Sequence, residues 1–588
     1  LVKAPDETPP DEAKRGSTAR IIVRLLLQFR TRAIAVWTLI LATAILEGVT
    51  VGMFLPLVAS VTGDFSAEGG DALAAFTGLV ARVPEDLRLT VFGLGFILLL
   101  VLKGTVMVAQ ANASYRFIYA IRAHWVDRIL RKYLAGSLLF MRTRSQGELV
   151  NDLVQETYRS VRAIQDALNL ASRGITIGLL FVVMVVVDWR ITFVSAAIGA
   201  IIYLTASGVI RRYSERMGER MLHFNRRISA DAIQALAGLR EVKLYGVQDR
   251  TMERFNEDVR DSHQVQTVIQ TLMQAPSAIA EVLLGVILVT VLAFIILVLG
   301  ADPVDFLPQI GLFALAGIRV ASNLAFIVQK RLHFGTFVAS IHAIRDMIDS
   351  AMVPSETGFG SASPEGLDGG IRFRGVAFSY AGERRILDGL DLDIEHQKIT
   401  ALVGQSGSGK STIVDLLAGF YVPDSGEILV NGRRLADFDL DQWRGTIGYI
   451  SQEPFLFATT IRDNIALGVP TVDDDEVIRA ATQAHAADFI TGLPAGLDTV
   501  LGESGYGLSV GQRQRIAVAR AIARRPSLYI FDESTSGLDT ETAAAIEATI
   551  RELSRSSTVI LITHRESTAA IADRIYHIVD GKAEESRS

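Results

Sequence analysis

The sequence predicts an α-helical membrane domain of six transmembrane helices followed by a soluble α/β domain, and three observations carry that prediction. Hydrophobic residues make up 49% of the 588 and charged residues only 21%, a balance too apolar for disorder or for a wholly soluble chain. The apolarity sits ahead of residue 330, in six stretches of about the 20 residues that a helix needs to cross a hydrocarbon core. Beyond residue 370, short β-rich runs alternate with helical ones. The net charge of −6 gives no basic footprint for nucleic acid. Without cysteine there are no disulfides, Fe-S clusters or thiol nucleophiles, and the nine histidines show no metal-ligand spacing such as HExxH.

Residues 1–16 mix Pro, Asp, Glu and Lys and read as a disordered tail. From Arg20 to Arg32, basic residues alternate with Ile21, Ile22, Leu25, Leu26 and Phe29, the pattern of an amphipathic helix on a membrane surface. The six apolar stretches are Ala33–Val61, Leu89–Ala111, Leu168–Val187, Ile191–Ile210, Pro276–Leu299 and Phe306–Val328. The connections Asn112–Ala167 and Arg211–Ala275 carry nine and eleven Arg/Lys, whereas Thr62–Arg88 carries two against five acids. By the positive-inside rule both basic connections and both termini face the cytoplasm. The two connections keep helical periodicity, so the spans should continue as helices beyond the bilayer, broken at Arg144–Glu148 and at Ala237–Arg240. Between the first two spans, Asp71, Leu73, Phe76, Val80 and Val83 suit an amphipathic helix at the outer surface. Residues 17–350 thus read as the membrane domain, 351–369 as a Gly/Ser/Pro-rich linker, and 370–588 as the soluble domain.

In that soluble domain the strand Ile399–Val403 runs into Gly404, Gln405, Ser406, Gly407, Ser408, Gly409, Lys410, Ser411 and Thr412, then into an apolar helix. This is GxxxxGK[ST] in the strand–loop–helix setting that the motif requires. Glycines let backbone amides turn onto phosphate oxygens, Lys410 brings a mobile charge to the β- and γ-phosphates, and Ser411 offers a hydroxyl to Mg2+. A second strand, Leu528–Phe531, ends in two acids: Asp532, the expected Mg2+ carboxylate, and Glu533, placed to polarise the attacking water.

Leu508-Ser509-Val510-Gly511-Gln512, about twenty residues before those acids, resembles the signature motif of ATP-binding-cassette (ABC) proteins. Further landmarks of that family follow in order: Tyr380 before the phosphate loop, Gln452 in Ser451-Gln452-Glu453-Pro454, Ser536-Gly537-Leu538-Asp539 after the acids, and His564. The resemblance implies that Tyr380 stacks on adenine, that Gln452 joins Mg2+ to movements of the membrane domain, and that His564 senses the γ-phosphate. It also places Gln512 and Asp539 in the nucleotide site, and Ser509 and Gly511 over a nucleotide held by a second subunit, so that one copy of each motif calls for a dimer. Val510 departs from the usual glycine, and its β-branch is expected to restrict the loop.

Six spans joined to such a cassette resemble the half-transporters of the ABC exporter class (type I exporter, or type IV, fold). That resemblance implies ATP hydrolysis coupled to export or flipping of an amphipathic, lipid or lipid-linked substrate, with ATP and Mg2+ as cofactors. It further implies a homodimer in a bacterial-type inner membrane, with the cassette cytoplasmic and the elbows Phe140–Leu149 and Ile228–Gly238 seated in the partner cassettes. The outer helix is similar to one in lipid-linked oligosaccharide flippases. A peptide or drug exporter and an exporter-fold importer of a siderophore-like molecule share the architecture. Within the spans, Arg319 would be costly facing lipid, so it should meet either a substrate head group or an acidic partner, Glu47 or Glu281; Lys103 is a further candidate for the substrate path.

Overall fold

The computed structural model describes residues 27–62, 83–142, 144, 146–194, 196–197, 200, 224, 227–228, 231–297, 307–349, 359–380, 385–469, 473–502, 505, 507–533 and 540–586. The N-terminal tail, most of the outer-surface helix, most of the fourth apolar stretch and Asp539 lie outside them. The chain divides into two compact units, Leu1–Arg131 with Gln146–Ser350, and Lys132–Ser145 with Ala351–Ser588.

The first unit is helical. Helices α1 (Arg30–Gly52) and α2 (Phe54–Thr62) form one apolar path broken at Met53, because Pro56 has no N–H to donate to the turn before it. Helix α3 (Glu85–Leu134) runs for 50 residues, about 75 Å at 1.5 Å per residue, more than twice the thickness of a hydrocarbon core. The continuation of spans as helices is therefore observed. The short helix α4 (Leu138–Arg142) follows and belongs to the second unit. A π-helical turn, Asp152–Glu156, leads into α5 (Thr157–Val187). Helix α5 ends at Asp188, whose Oδ1 accepts the backbone N–H groups of Arg190 (2.8 Å) and Ile191 (3.0 Å) and so starts the next helical segment. Helices α6 (Leu239–Leu244), α7 (Gln248–Leu297) and α8 (Leu307–Asp349) complete the unit. Gly238 caps α6, but the sharper break is at Gly246, with φ +64, two residues before α7. A left-handed backbone there is open to glycine at little cost. Helix α8 packs on α5 and α7, and Val51, Leu55, Leu180, Met184, Leu312 and Phe313 make a buried cluster. Among the described residues four helical segments, Arg30–Val58, Glu85–Leu134, Gly147–Val187 and Ile310–Arg331, are long and apolar enough to cross a membrane. The fifth predicted stretch occupies the C-terminal half of α7.

The second unit is built on two sheets. An antiparallel sheet has the order β2–β1–β4–β5, with β1 Ile371–Phe378, β2 Leu387–Ile394, β4 Ser425–Val430 and β5 Arg433–Arg434. A mainly parallel sheet has the order β10–β9–β3–β8–β7–β6, with β3 Ile399–Val403, β6 Ile447–Ile450, β7 Leu528–Asp532, β8 Thr558–Thr563, β9 Arg574–Val579 and β10 Lys582–Ser586. Ile530 faces one core with Leu402 and Ile560, whereas Tyr529 and Phe531 face a second with Ile516 and Ile550. Strands covered on both faces read as the continuous apolar runs seen in this sequence. One boundary differs from the sequence expectation. Residues 359–369 are not linker: Leu367 is buried in the cassette core, Phe359 packs on it, and the Gly369 N–H donates to Asn431 Oδ1 at 2.8 Å. Just ahead of the first elbow, Leu138 and Leu139 of α4 pack on the cassette core.

On the helical side of the cassette, Glu476 in α10 (Asp474–Gln483) meets Arg479 and lies 2.6 Å from Arg525. Their guanidinium groups hold its carboxyl at about 2. A depressed value stabilises the fold above the ordinary carboxyl range and ceases to do so as pH falls through the folded value. Glu476→Gln is therefore expected to lower the cassette's melting temperature at neutral pH, by a difference that shrinks between pH 4.5 and about 2. Parallel thermal melts of both chains across that window check it.

Candidate nucleotide site and membrane charge cluster

The phosphate loop follows from what β3 and helix α9 (Lys410–Leu417) leave between them. Gly409 caps α9 at φ +105, and a Cβ there would lie 2.8 Å from Leu387 Cδ2; at Gly404 it would lie 2.6 Å from the Ile578 carbonyl oxygen. Glycine is thus demanded both by backbone and by space. Lys410, buried, donates through Nζ to the carbonyls of Gly404 and Gln405, each at 2.8 Å. Burial pushes its ammonium below the usual lysine range, opposed by the charges of Glu533 and Asp532. Ser408 Oγ is buried without a hydrogen-bond partner, a donor that a phosphate oxygen would satisfy. Tyr380 lies edge-on to Phe378 and Tyr421, with centroids 5.0 and 5.3 Å away, and its hydroxyl is 3.1 Å from Thr412 Oγ1.

Around the two acids, Gln452 Nε2 donates to Glu533 Oε2 at 3.0 Å, and His564 Nδ1 lies 3.4 Å from Glu533 Oε1. The structure therefore brings Gln452, Glu533 and His564 together. Glu533 has φ +45, a left-handed backbone uncommon outside glycine. Burial raises the Asp532 carboxyl, while a hydrogen bond from Tyr449, 3.0 Å from Oδ2, lowers it. Ser411, Gln452 and Asp532 offer oxygen donors only, which suits Mg2+.

Ser509 caps helix α11 (Val510–Ala523): its Oγ accepts the Gln512 N–H at 3.2 Å, and Gln512 Oε1 accepts the Ser509 N–H at 2.9 Å. The serine O–H proton is not used in that box and can be donated outward. Gln512's side-chain oxygen is engaged in the cap. Val510 is the first helical residue and is 49% exposed, so the helical backbone accepts it and glycine's extra freedom is not needed. One residue escaped motif reading, Tyr449; Gln514, in the run Arg513-Gln514-Arg515 that follows the signature, is buried, and its Nε2 donates to the Ser451 carbonyl at 3.3 Å. The signal for Tyr449 was its place on the strand leading to Gln452.

In the helical unit, Glu47 pairs with Lys103 and, at 3.2 Å, with Arg319. Among the described residues no ion pair joins Arg319 to Glu281. Glu47 and Lys103 are nearly buried, while the Arg319 side chain is 46% exposed. Arg173 adds a third cation within electrostatic range of Glu47 and Arg319, held by Asn323 Oδ1 at 2.9 Å and by the Phe326 ring at 4.9 Å. Its sequence signal was an arginine inside the third apolar stretch.

A helical unit with membrane-length apolar segments and a cassette with a phosphate loop define an ATP-driven membrane transporter, and the comparisons agree. Residues 37–305 match the ABC transporter transmembrane region and 387–536 the ABC transporter family. The chain is 30% identical to the heterocyst differentiation ATP-binding protein HepA of Nostoc sp. strain PCC 7120, over 96% of this chain and 92% of that protein. It is 32% identical to the ATP-dependent lipid A-core flippase of Chromohalobacter salexigens, over 81% of each. A bacterial Atm1-family ABC exporter solved with ATP bound shares the fold, at TM-score 0.74 and 24% identity over 95% of both chains. The chain belongs to the ABC transporter family: it is an integral membrane exporter whose membrane region and cassette are fused and whose ATP hydrolysis is coupled to transport.

Proposed function

We propose that the chain moves an anionic amphiphile, such as a lipid-linked molecule with a phosphate head group, across an inner membrane by alternating access in a homodimer. The observation that carries the substrate class is the surplus of cations near Glu47: Lys103 and Arg319 pair with it, and Arg173 lies within electrostatic range. A charged side chain facing hydrocarbon at a helix centre costs about 2.5 to 3.5 kcal/mol. Exposed guanidinium groups there are expected to face a wet cavity and to find their missing countercharge on the cargo. The name of the lipid A-core flippases, similar over most of their length, supports the same class.

In the cassette, Tyr380 would stack on adenine, and the amides of Gly404 to Gly409, the Ser408 hydroxyl and Lys410 would hold phosphate. Ser411, Gln452 and Asp532 would hold Mg2+, which when bound neutralises phosphate charge. Glu533, held by Gln452 and facing His564, would take the proton of the attacking water. Ser509 and Gly511 would close over the nucleotide of the second copy. ATP drives the cycle only by binding the closed dimer better than the open one. The cassettes and termini would lie in the cytoplasm.

The test is Mg-ATP turnover of the purified chain in liposomes doped with anionic or zwitterionic lipid extracts. Anionic extracts should stimulate wild type, and Arg319→Ala should lose most of that response while keeping its response to zwitterionic ones. Equal changes in both responses would defeat the proposed substrate class.

A further inference from the structure

Asp532 closes β7 with one carboxylate oxygen engaged: Oδ2 accepts the Tyr449 hydroxyl at 3.0 Å. This is the one hydrogen bond shown to that side chain among the described residues. Strands β6 and β7 run parallel with Tyr449 opposite Ile530, so the phenol reaches along the sheet to the strand's end. Tyr449 is 49% exposed, whereas Ile447 and Ile450 are buried in the two cores on either side of the sheet. About half of its surface therefore lies outside the packed cores, and its hydroxyl contacts Asp532.

We propose that Tyr449 biases which divalent cation the cassette accepts, by holding one oxygen of Asp532 in a hydrogen bond with which a cation must compete; this rests on reading Asp532 as the cation-side carboxylate. Mg2+ is small, demands near-octahedral geometry and is commonly bound through single carboxylate oxygens and water, whereas Ca2+ takes more ligands and readily uses a carboxylate through both oxygens. For Asp532 to serve Ca2+ in that second way, the cation must share Oδ2 with the Tyr449 proton, which weakens the charge-assisted bond. Phenylalanine keeps the ring and removes the donor, and with it the penalty against Ca2+.

The experiment measures binding of a non-hydrolysable fluorescent ATP analogue to the full chain in lipid, with Mg2+ or Ca2+ as the only divalent ion. Tyr449→Phe should shift the ratio of the two dissociation constants toward Ca2+ by about tenfold, the scale of one hydrogen bond to a charged group. Equal melting temperatures of the two chains would establish that the variant is folded. If the variant binds the analogue with Mg2+ and the ratio stays within about twofold of wild type, the inference is overturned while the nucleotide-site reading stands. If neither cation promotes binding to either chain, the nucleotide-site reading itself fails and takes this inference with it.

Discussion

Replacing Glu533 by glutamine is expected to cut steady ATP turnover by about 10² to 10⁴-fold, the usual contribution of a positioned proton acceptor, while nucleotide still binds. The substitution is nearly isosteric, so the loop keeps its volume and its neighbours. It removes the negative oxygen that accepts Gln452 Nε2 at 3.0 Å and faces His564 Nδ1 at 3.4 Å. An amide has almost no affinity for the proton that the water must lose. Lys410 and the glycine loop are untouched, so the binding constant for a fluorescent ATP analogue should change little. Turnover within threefold of wild type would show that another group accepts the proton.

Glu47→Leu is expected to destabilise the membrane unit by about 3 to 5 kcal/mol, the cost of leaving a buried charge without its partner. Most of that cost falls on Lys103, which is nearly buried, because Arg319 is half-exposed and can find water or a countercharge in a cavity. The double variant Glu47→Leu/Lys103→Met should recover much of the loss, since replacing both members of a buried pair by apolar groups is often close to neutral. Thermal unfolding of the three chains in the same lipid decides it. A single variant within about 1 kcal/mol of wild type would mean that Lys103 is hydrated and the ion pair contributes little.

Much of the cassette was legible because its chemistry is local. The glycines of 404–409, the helix start at Lys410 and the acids ending β7 are each specified by neighbours along the chain, and each lies where its pattern puts it. The Tyr449–Asp532 contact was not legible, because it depends on β6 lying beside β7 across 83 residues; alternation shows which face a strand residue takes, not which strand is its neighbour. For Arg319 the residues left two acidic partners open, Glu47 and Glu281, and helix packing selects Glu47. The linker was read too long at its C-terminal end because Gly, Ser and Pro dominate its composition. Two apolar side chains, Phe359 and Leu367, are enough to pull that segment onto the cassette.

The left-handed backbone at Glu533 bears on how such a pump can fall silent. Glutamate holds that conformation at a cost of about 1 to 2 kcal/mol, and glycine would relieve it. One base change turns a glutamate codon into a glycine codon. Descendants released from the need to burn ATP can therefore drift to an inert cassette along a path that folding favours, so inactive copies of this design should tend to be sturdier than working ones.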